Sequence, residues 1–212
     1  CSAQSGWVTQ TSNTTSDAWN AYFADENNGW IPYTSGALLH TTDGGTNWNA
    51  ISPAPGGYLF STYFVNATTG WISGLSGTIS KTTDGGATWS SQTSNTTSHV
   101  FKLQFLDENT GFAFCGNGFS GAAVLKTTNG GTNWTSLPVK TTAALGYGFV
   151  LNATHIWAVG IYGTVTRTTN GGTSWDTSRV PNNPELRGVH FISPDVGWLV
   201  GGAPSTIMKT TN

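Results

Sequence analysis

Two carboxylates in this chain, Asp17 and Glu185, stand outside its repeated positions and have the residue type needed for acid–base chemistry. A carboxylate pair can hydrolyse a glycosidic bond when the two groups flank it at a separation below about 10 Å. Each acid has a companion two residues later, Trp19 in the first case and Arg187 in the second. The same side chains are equally suited to binding without catalysis, with the tryptophan stacking on a sugar ring or another flat group. We therefore assign no catalytic residue from the sequence.

A repeated eight-residue box is the reason that these positions are recognised as exceptions. The segment Thr82–Trp89 is one of four complete copies, and a fifth copy begins at Thr210. The tryptophans of successive complete copies are 41, 45 and 41 residues apart. A second repeated segment, such as Phe64–Trp71, precedes each box. Periods of about 40 to 45 residues with several short strands each are typical of propeller blades.

The order of the repeated segments predicts four antiparallel strands in each unit and no helix. Residues Trp7–Ser16 match Trp89–Ser98 and correspond to a fourth strand, whereas the chain ends on a third strand at Asn212. We therefore predict an all-β fold: a single five-bladed β-propeller over residues 1–212, with its last blade closed by the N-terminal strand. The expected blades are 17–54, 57–94, 98–139, 143–181, and 185–212 completed by 3–12.

The box itself is expected to be structural. Its Asp or Asn can accept backbone N–H bonds within the turn, its two glycines can adopt conformations that other residues avoid, and its tryptophan can cover the hairpin. Two copies have Asn in place of Asp, which argues against a metal-binding or catalytic role for the carboxylates. The residues concerned are Asp43, Trp48, Asp84, Trp89, Asn129, Trp134, Asn170 and Trp175.

The boxes resemble Asp-box repeats, also called bacterial neuraminidase repeats. The form Gly77–Gly86, with Gly70 and Trp71 upstream, is similar to the subgroup found in photosystem II stability and assembly factors and in many secreted bacterial proteins. The resemblance covers essentially the whole chain and implies a propeller. It leaves the activity open, because such repeats occur in sialidases, glycosidases, lectin-like modules and assembly factors.

Two of these protein classes, the sialidases and the assembly factors, fit the sequence less well. Sialidases clamp the carboxylate of their substrate with three arginines, whereas this chain has only Arg167, Arg179 and Arg187, and Arg167 is at a repeated position. A sialidase is therefore not expected. An assembly factor is favoured by the type of repeat, but the family usually has a larger ring than five blades, and this chain has no arginine-rich face.

Candidate ligand-binding residues are those that break the repeat on one face of the predicted propeller. Loops that join one blade to the next, and loops between second and third strands, surround one mouth of the funnel. That mouth is the usual binding face, whereas the boxes lie on the opposite face. The candidates are Asp17, Trp19, Tyr33, Tyr58, His99, Phe119, Tyr162, Glu185 and Arg187.

Composition narrows the range of partners. Charged residues make up 8% of the chain and the net charge is -2, so a nucleic-acid partner, which needs clustered Lys and Arg, is not expected. No apolar run reaches the roughly 20 residues of a membrane-spanning helix. Cys1 resembles the lipidated cysteine of a bacterial lipoprotein after signal cleavage, and a free thiol is equally consistent. Cys1 and Cys115 lie in different predicted blades, so we expect no disulfide between them, and no metal or cofactor motif is present.

These features favour a secreted or cell-surface binding propeller that is non-catalytic and monomeric, with a glycan or protein ligand at the funnel mouth. Two alternatives remain open. One is an enzyme resembling glycoside hydrolases that uses the funnel carboxylates, and the other is a chaperone resembling the photosystem II assembly factors. A purely structural domain of a larger surface protein is a further interpretation.

Overall fold

Five antiparallel sheets make up the protein in a computed structural model that describes residues 6, 8–51, 57–118, 120–202 and 205–211. Strands are hydrogen-bonded in chain order in every sheet, and within the described residues the fifth sheet has three strands while the others have four. The predicted all-β class is confirmed, and five sheets fit the predicted five blades.

The strand bounds are as follows. Sheet 1 comprises β1 (Tyr22–Phe23), β2 (Gly29–Pro32), β3 (Leu38–Thr41) and β4 (Asn49–Ala50). Sheet 2 comprises β5 (Leu59–Phe64), β6 (Gly70–Gly74), β7 (Ile79–Thr82) and β8 (Ser90–Ser91). Sheet 3 comprises β9 (His99–Phe105), β10 (Gly111–Asn117), β11 (Ser120–Thr127) and β12 (Thr135–Ser136). Sheet 4 comprises β13 (Tyr147–Val150), β14 (Ile156–Val159), β15 (Thr164–Thr168) and β16 (Asp176–Arg179). Sheet 5 comprises β17 (Leu186–Phe191), β18 (Val196–Gly201) and β19 (Thr206–Thr211). Two 3-10 turns, Leu75–Gly77 and Ile161–Gly163, join the second and third strands of sheets 2 and 4.

Neighbouring sheets are joined by stacked aromatic rings. The second-strand tryptophan of one sheet lies flat on the first-strand phenylalanine of the next. The ring centroids are 3.5 Å apart for Trp30 and Phe64, and 3.6 Å apart for Trp71 and Phe105. Sheets 4 and 5 are joined in the same way, and the residues are Trp157 and Phe191 at 3.7 Å. Aromatic pairs of this kind add about 0.5–1.5 kcal/mol to the effect of burial alone.

A glycine makes room for each of these phenylalanines. Phe64 pairs across the sheet with Gly70, and a Cβ on Gly70 would collide with the Phe64 ring. Sheet 4 has Val150 at the position of the phenylalanine. Valine is smaller, and it is paired with Ile156 instead of glycine. The repeated Phe and Gly-Trp segments therefore encode one packing unit that spans two sheets.

The stacked tryptophans also reach the box of the next sheet. Trp71 Nε1 donates to the carbonyl of Gly130 at 2.9 Å, and Trp30 Nε1 donates to the carbonyl of Gly85 at 3.2 Å. Phe112 has no N–H at this position in sheet 3. Lys126 Nζ donates instead to the equivalent carbonyl, that of Gly171 at 3.5 Å. The box therefore accepts a hydrogen bond from the preceding sheet.

Within each box, one side-chain oxygen organises the turn. Asp84 Oδ1 accepts hydrogen bonds from the Thr82 hydroxyl at 2.7 Å and from the Thr88 backbone N–H at 2.9 Å. Gly85 and Gly86 have φ values of 74° and 98°, a left-handed region that favours glycine. The copy with Asn129 retains the same bonds, so the amide oxygen replaces the carboxylate as predicted. Bonds from Thr88 and Thr82 lower the pKa of the Asp84 carboxyl to about 2.

Closure of the last blade by residues 3–12 stays a prediction. Residues 1–5 and 7 lie outside the described part of the chain, and residues 8–12 are described but belong to no strand. A groove of about 390 Å³ lies between sheets 4 and 5, lined by Trp157, Leu199 and Met208 among others. At the equivalent position between sheets 2 and 3, Trp134 packs edge-on against Phe105. Trp7, which the sequence aligns with Trp89, lies outside the described residues.

Truncating Trp71, which is fully buried, should reduce the free energy of unfolding by about 3–5 kcal/mol in Trp71→Ala, because the stack on Phe105 is lost. Trp71→Phe keeps a smaller ring on Phe105 and removes the bond to Gly130, as Phe112 does naturally, and should cost about 1–3 kcal/mol. Urea denaturation measures both variants. A Phe variant as unstable as the Ala variant would show that the stack contributes little.

Replacing Asp84 should affect the turn according to whether an acceptor remains. Asp84→Ala should lower the melting temperature at neutral pH more than Asp84→Asn. Since folding lowers the pKa of this carboxyl from 3.8 to about 2, its contribution is complete above the unfolded pKa and is lost as the pH falls through the folded one. The difference in melting temperature between wild type and Asp84→Ala should be constant above about pH 5 and shrink between about pH 4 and pH 2. A difference that stays constant down to about pH 2 would contradict this assignment.

Candidate functional site

The first strands of all five sheets line a central channel with a volume of about 400 Å³. One residue from each first strand occupies each position that the repeat aligns, and we call such a set of five a ring. The outermost ring, at the start of the first strands, consists of Trp19, Phe60, Phe101, Gly146 and Arg187. We call the opening that this ring surrounds the mouth.

Aromatic rings form an arc around the mouth. The ring centroids of Trp19 and Phe60 are 5.3 Å apart in an edge-on arrangement, and those of Phe60 and Phe101 are 4.9 Å apart. Tyr147 continues the arc at 6.5 Å from Phe101. Phe60 is buried, whereas Trp19 is 49% exposed and presents its ring to solvent. The arc is therefore a packed aromatic wall that ends in an accessible tryptophan.

A second cavity, of about 270 Å³, opens beside this arc and is called the mouth cavity. Trp19, Phe101, Glu185 and Arg187 are among its lining residues. Gly146 stands where Phe60 and Phe101 stand in other sheets, so the ring of large side chains is interrupted there. A Cβ at Gly146 would come within 3.1 Å of the Phe101 ring, and a larger side chain would project into the cavity.

An ion pair borders the mouth cavity. Arg187 Nη2 donates to Glu185 Oε2 at 2.8 Å, and both side chains are largely exposed. The hydrogen bond and the charge of Glu185 raise the pKa of Arg187. An exposed pair of this kind contributes about 0–1 kcal/mol to stability, so its main consequence is to hold a cation and an anion beside the aromatic wall.

The structure brings together three of the candidates predicted from the sequence, namely Trp19, Glu185 and Arg187. Asp17 is exposed, its backbone carbonyl accepts a hydrogen bond from the Thr34 N–H, and it lines neither the channel nor the mouth cavity. The acid pair suggested by the sequence therefore does not share a described cavity.

The remaining candidates lie away from the mouth cavity or form its surroundings. Tyr33 is buried, with only 5% of its surface exposed, and Tyr58 is 54% exposed but lines neither cavity. His99 packs against Phe60 and Phe101, and its Nδ1 accepts a hydrogen bond from the Ser76 N–H at 3.2 Å.

Tyr162 and Phe119 complete the set of predicted residues. Tyr162 is 46% exposed in a left-handed conformation, with the Arg179 guanidinium 5.9 Å from its ring centroid. It does not line the channel or the mouth cavity. Phe119 lies outside the described residues.

Sequence reasoning did not single out Lys102, a charged residue that lines the channel. It lies one ring below the mouth, where the aligned residues of other sheets are Asn20, Ser61, Tyr147 and Gly188. Partial burial of the side chain lowers the pKa of Lys102. One sequence feature could have identified Lys102: it is a charged residue within a first strand, at a position where the other four copies have an uncharged residue.

Metal binding and thiol catalysis have little support in the described part of the chain. No group of three or more His, Cys, Asp or Glu residues there could hold a metal ion. Cys115 is a buried free thiol whose pKa is raised by burial to about 12, so it is a poor nucleophile at neutral pH. None of the described helices is long and apolar enough to cross a membrane.

The family follows from the sequence repeats. The profile of the family described as Photosynthesis system II assembly factor YCF48 matches residues 1–91 and 56–146. The chain belongs to the YCF48 family. The matched segments together cover more than half of the chain, and the predicted resemblance to this repeat type is confirmed. A comparison with curated protein sequences finds no match.

Solved structures share the propeller fold. A YCF48 bound to a D1 peptide has a TM-score of 0.52 and 18% identity, over 94% of this chain and 79% of that one. YCF48 from Cyanidioschyzon merolae has a TM-score of 0.50 and 17% identity, over 93% of this chain and 96% of that one. An ancestral GH74 enzyme has a TM-score of 0.70 and 14% identity, and matches 92% of this chain but 31% of its own length. At such identities these likenesses show the fold alone.

Removing the ion pair should leave the fold intact. We expect Glu185→Gln to change the free energy of unfolding by less than about 1 kcal/mol. Leu186→Ala, in the adjacent and fully buried residue, should cost about 2–5 kcal/mol. Denaturant titration of both variants compares them directly. Equal destabilisation would mean that the ion pair is part of the framework of the mouth and not an addition to its surface.

Proposed function

We propose that this member of the YCF48 family is a non-catalytic binding propeller that holds a segment of another protein at the mouth of its central channel. The observation that carries the proposal is the half-exposed Trp19 at the end of a packed aromatic arc, beside the Glu185–Arg187 ion pair. Tryptophan and arginine are enriched among the residues that dominate protein-binding energies.

A protein ligand is favoured over a glycan by two considerations. The YCF48 structure with a bound D1 peptide provides a precedent within the family for peptide binding. The mouth also combines an apolar wall with an anion and a cation, which suits a peptide backbone and mixed side chains. By the same family membership, the biological role closest to this site is that of an assembly factor that engages a client protein.

A glycoside hydrolase is not proposed. Such chemistry needs two carboxyl groups that face one substrate, whereas Glu185 is engaged with Arg187 and Asp17 lines neither described cavity. The similarity to the ancestral GH74 enzyme supports the propeller fold and nothing further.

Secretion or attachment to the cell surface is part of the same proposal. It is supported by the scarcity of charged residues, at 8% of the chain, and Cys1, the candidate for lipidation, lies outside the described residues. A monomer with a free mouth is the expected binding form. Cell fractionation of the full-length gene product would test the location, and a purely cytoplasmic product would contradict it.

Panning a phage-displayed library of random linear peptides against the purified protein tests the binding proposal, with a glycan array run in parallel. Trp19→Ala and Gly146→Phe should each weaken the best peptide by about tenfold or more, the first by removing the exposed ring and the second by filling the mouth cavity. Ile192→Ala is the matched control, because Ile192 is 64% exposed and follows the far end of β17.

The outcomes separate the alternatives clearly. Peptides that bind the wild type and the control but not the two mouth variants support the proposal. Peptides that bind all four proteins equally would remove the mouth from it. Glycans that bind through Trp19, with no peptide selected, would replace the protein ligand by a carbohydrate.

A further inference from the structure

Sheet 4 has small residues at two mouth positions where the other sheets have larger ones. Gly146 is aligned with Trp19, Phe60 and Phe101. Two residues earlier, Ala144 is also the smallest residue at its position, and the residues aligned with it are Asp17, Tyr58, His99 and Glu185. Both small residues are buried and line the mouth cavity. The cavity is therefore a gap in the ring that exists because one sheet lacks two large side chains.

The glycine at position 146 is not required by its backbone conformation. Its φ lies outside the left-handed region, which any residue avoids except at a cost, so a side chain is compatible with the local backbone. Gly118, elsewhere in the lining, differs in this respect, since its φ is 63°. A Cβ at Gly146 would lie 3.1 Å from the Phe101 ring, so the position is confined by a side chain and not by backbone. Gly146 therefore contributes space, and its size limits what the cavity can hold.

The walls of the mouth cavity are apolar and mainly aromatic. The rings of Trp19, Phe101 and Tyr147 line it together with Ile161 and Leu186. Leu186 is fully buried, whereas the three rings are all accessible in part. The volume of about 270 Å³ is slightly below the range of about 300–1,000 Å³ that is typical of small-molecule sites. A cavity of this size and lining suits one large apolar side chain.

A cation borders these rings and is held in place. Arg187 lines the cavity with 60% of its side chain exposed, and its Nη2 donates to Glu185 Oε2 at 2.8 Å. A guanidinium group is attracted to the negative face of an aromatic ring and stacks on it. Because Glu185 already orders this guanidinium group, less rotamer freedom is lost when a ring packs against it. The charge beside the cavity is therefore complementary to an aromatic ring, whereas an aliphatic group would gain nothing from it.

We propose that the mouth cavity is a specificity pocket for one aromatic side chain, that of a phenylalanine, tyrosine or tryptophan, in the protein segment bound at the mouth. The ring of that side chain enters the gap at Gly146 and Ala144. It packs against Trp19 and Phe101 and lies beside the Arg187 guanidinium group. Gly146 sets the size of the pocket, and Arg187 distinguishes aromatic from aliphatic side chains. This inference rests on the proposed function, because the bound segment supplies the ring.

Capped amino acids test the pocket without any selected peptide. The N-acetyl methylamides of phenylalanine, cyclohexylalanine and alanine are titrated against 15N-labelled protein, and the indole N–H signal of Trp19, identified by its absence in Trp19→Phe, is followed by NMR. Affinities in the millimolar range are expected for ligands of this size. The phenylalanine probe should bind about threefold or more tightly than the cyclohexylalanine probe, which has a similar shape but no aromatic face. The alanine probe should leave the Trp19 signal in place.

Two variants separate the size of the pocket from its charge. Gly146→Leu fills the gap and should weaken the phenylalanine probe by about tenfold or more. Arg187→Met removes the charge, retains much of the bulk and should make the phenylalanine and cyclohexylalanine probes bind equally. Ser90→Leu is the matched control for the first variant, because it adds the same side chain at an exposed position of the outer strand β8. It should leave the binding of every probe unchanged.

Three results would overturn the proposal. One is equal binding of the phenylalanine and cyclohexylalanine probes to the wild type, and another is a Trp19 signal that the phenylalanine probe does not shift up to its solubility limit. The third is unchanged binding of the phenylalanine probe to Gly146→Leu. If Gly146→Leu does not fold, Arg187→Met decides, since it removes only an exposed ion pair. A preference for phenylalanine over cyclohexylalanine that persists in Arg187→Met contradicts the proposal.

Peptides selected by panning separate this inference from the proposed function. An aromatic residue at one fixed position in peptides that bind the wild type, and its loss from peptides selected on Gly146→Leu, would support both. Peptides that depend on Trp19 but show no aromatic preference would retain the protein-binding function and reject the pocket. Binding of the phenylalanine probe that depends on Gly146 and Arg187, with no peptide selected, would retain the aromatic pocket and reject the protein-binding function.

Discussion

The stack of one sheet's second-strand tryptophan on the next sheet's first-strand phenylalanine is the contact on which the rest of the structure depends. A four-stranded sheet of such short strands cannot bury its two faces alone, so its stability comes from its neighbours. Trp71 makes two such contacts at once. Its ring stacks on Phe105 with centroids 3.6 Å apart, and its Nε1 donates to the Gly130 carbonyl at 2.9 Å. Because Gly130 belongs to a box, the same residue fixes the sheet face and the adjacent turn.

That arrangement separates the framework from the site. Stacks join sheets 1 and 2, 2 and 3, and 4 and 5, and complete boxes follow the third strands of sheets 1 to 4, which leaves little freedom for those residues to vary. Side chains at the start of the first strands line the channel or the mouth cavity, where they are less constrained by packing against neighbouring sheets. Trp19, Gly146, Arg187 and Lys102 occupy such positions, and each differs from its counterparts in other sheets. The ring therefore presents one chemically irregular surface on a regular scaffold.

Sequence reasoning reached part of this site and missed part of it. Subtracting the repeat identified Trp19 and Arg187, because both lie beside a strand start that the repeat locates well. It also suggested Tyr33, which is buried at 5% exposure, since a repeat does not reveal which side of a loop faces solvent. Lys102 was overlooked because it lies inside a strand, where alternation assigns a side chain to one face of a sheet but does not show that the face borders a channel. Register shifts next to β5, β9 and β17, at Leu59/Ser61, Phe114/Cys115 and Leu186/Gly188, further obscure the alignment of these positions.

The sequence by itself determined the repeat, the strand order, the turn chemistry and the number of sheets, because hydrogen bonds within a turn and pairing between successive strands are local in the chain. Tertiary structure alone decided which side chains meet across sheets. Trp19 and Glu185 lie far apart in sequence and line one cavity, and residues from the first strands of all five sheets line one channel. These contacts depend on how the five sheets are arranged around the channel. That arrangement is set by the packing of side chains between sheets, and no single repeat position encodes it.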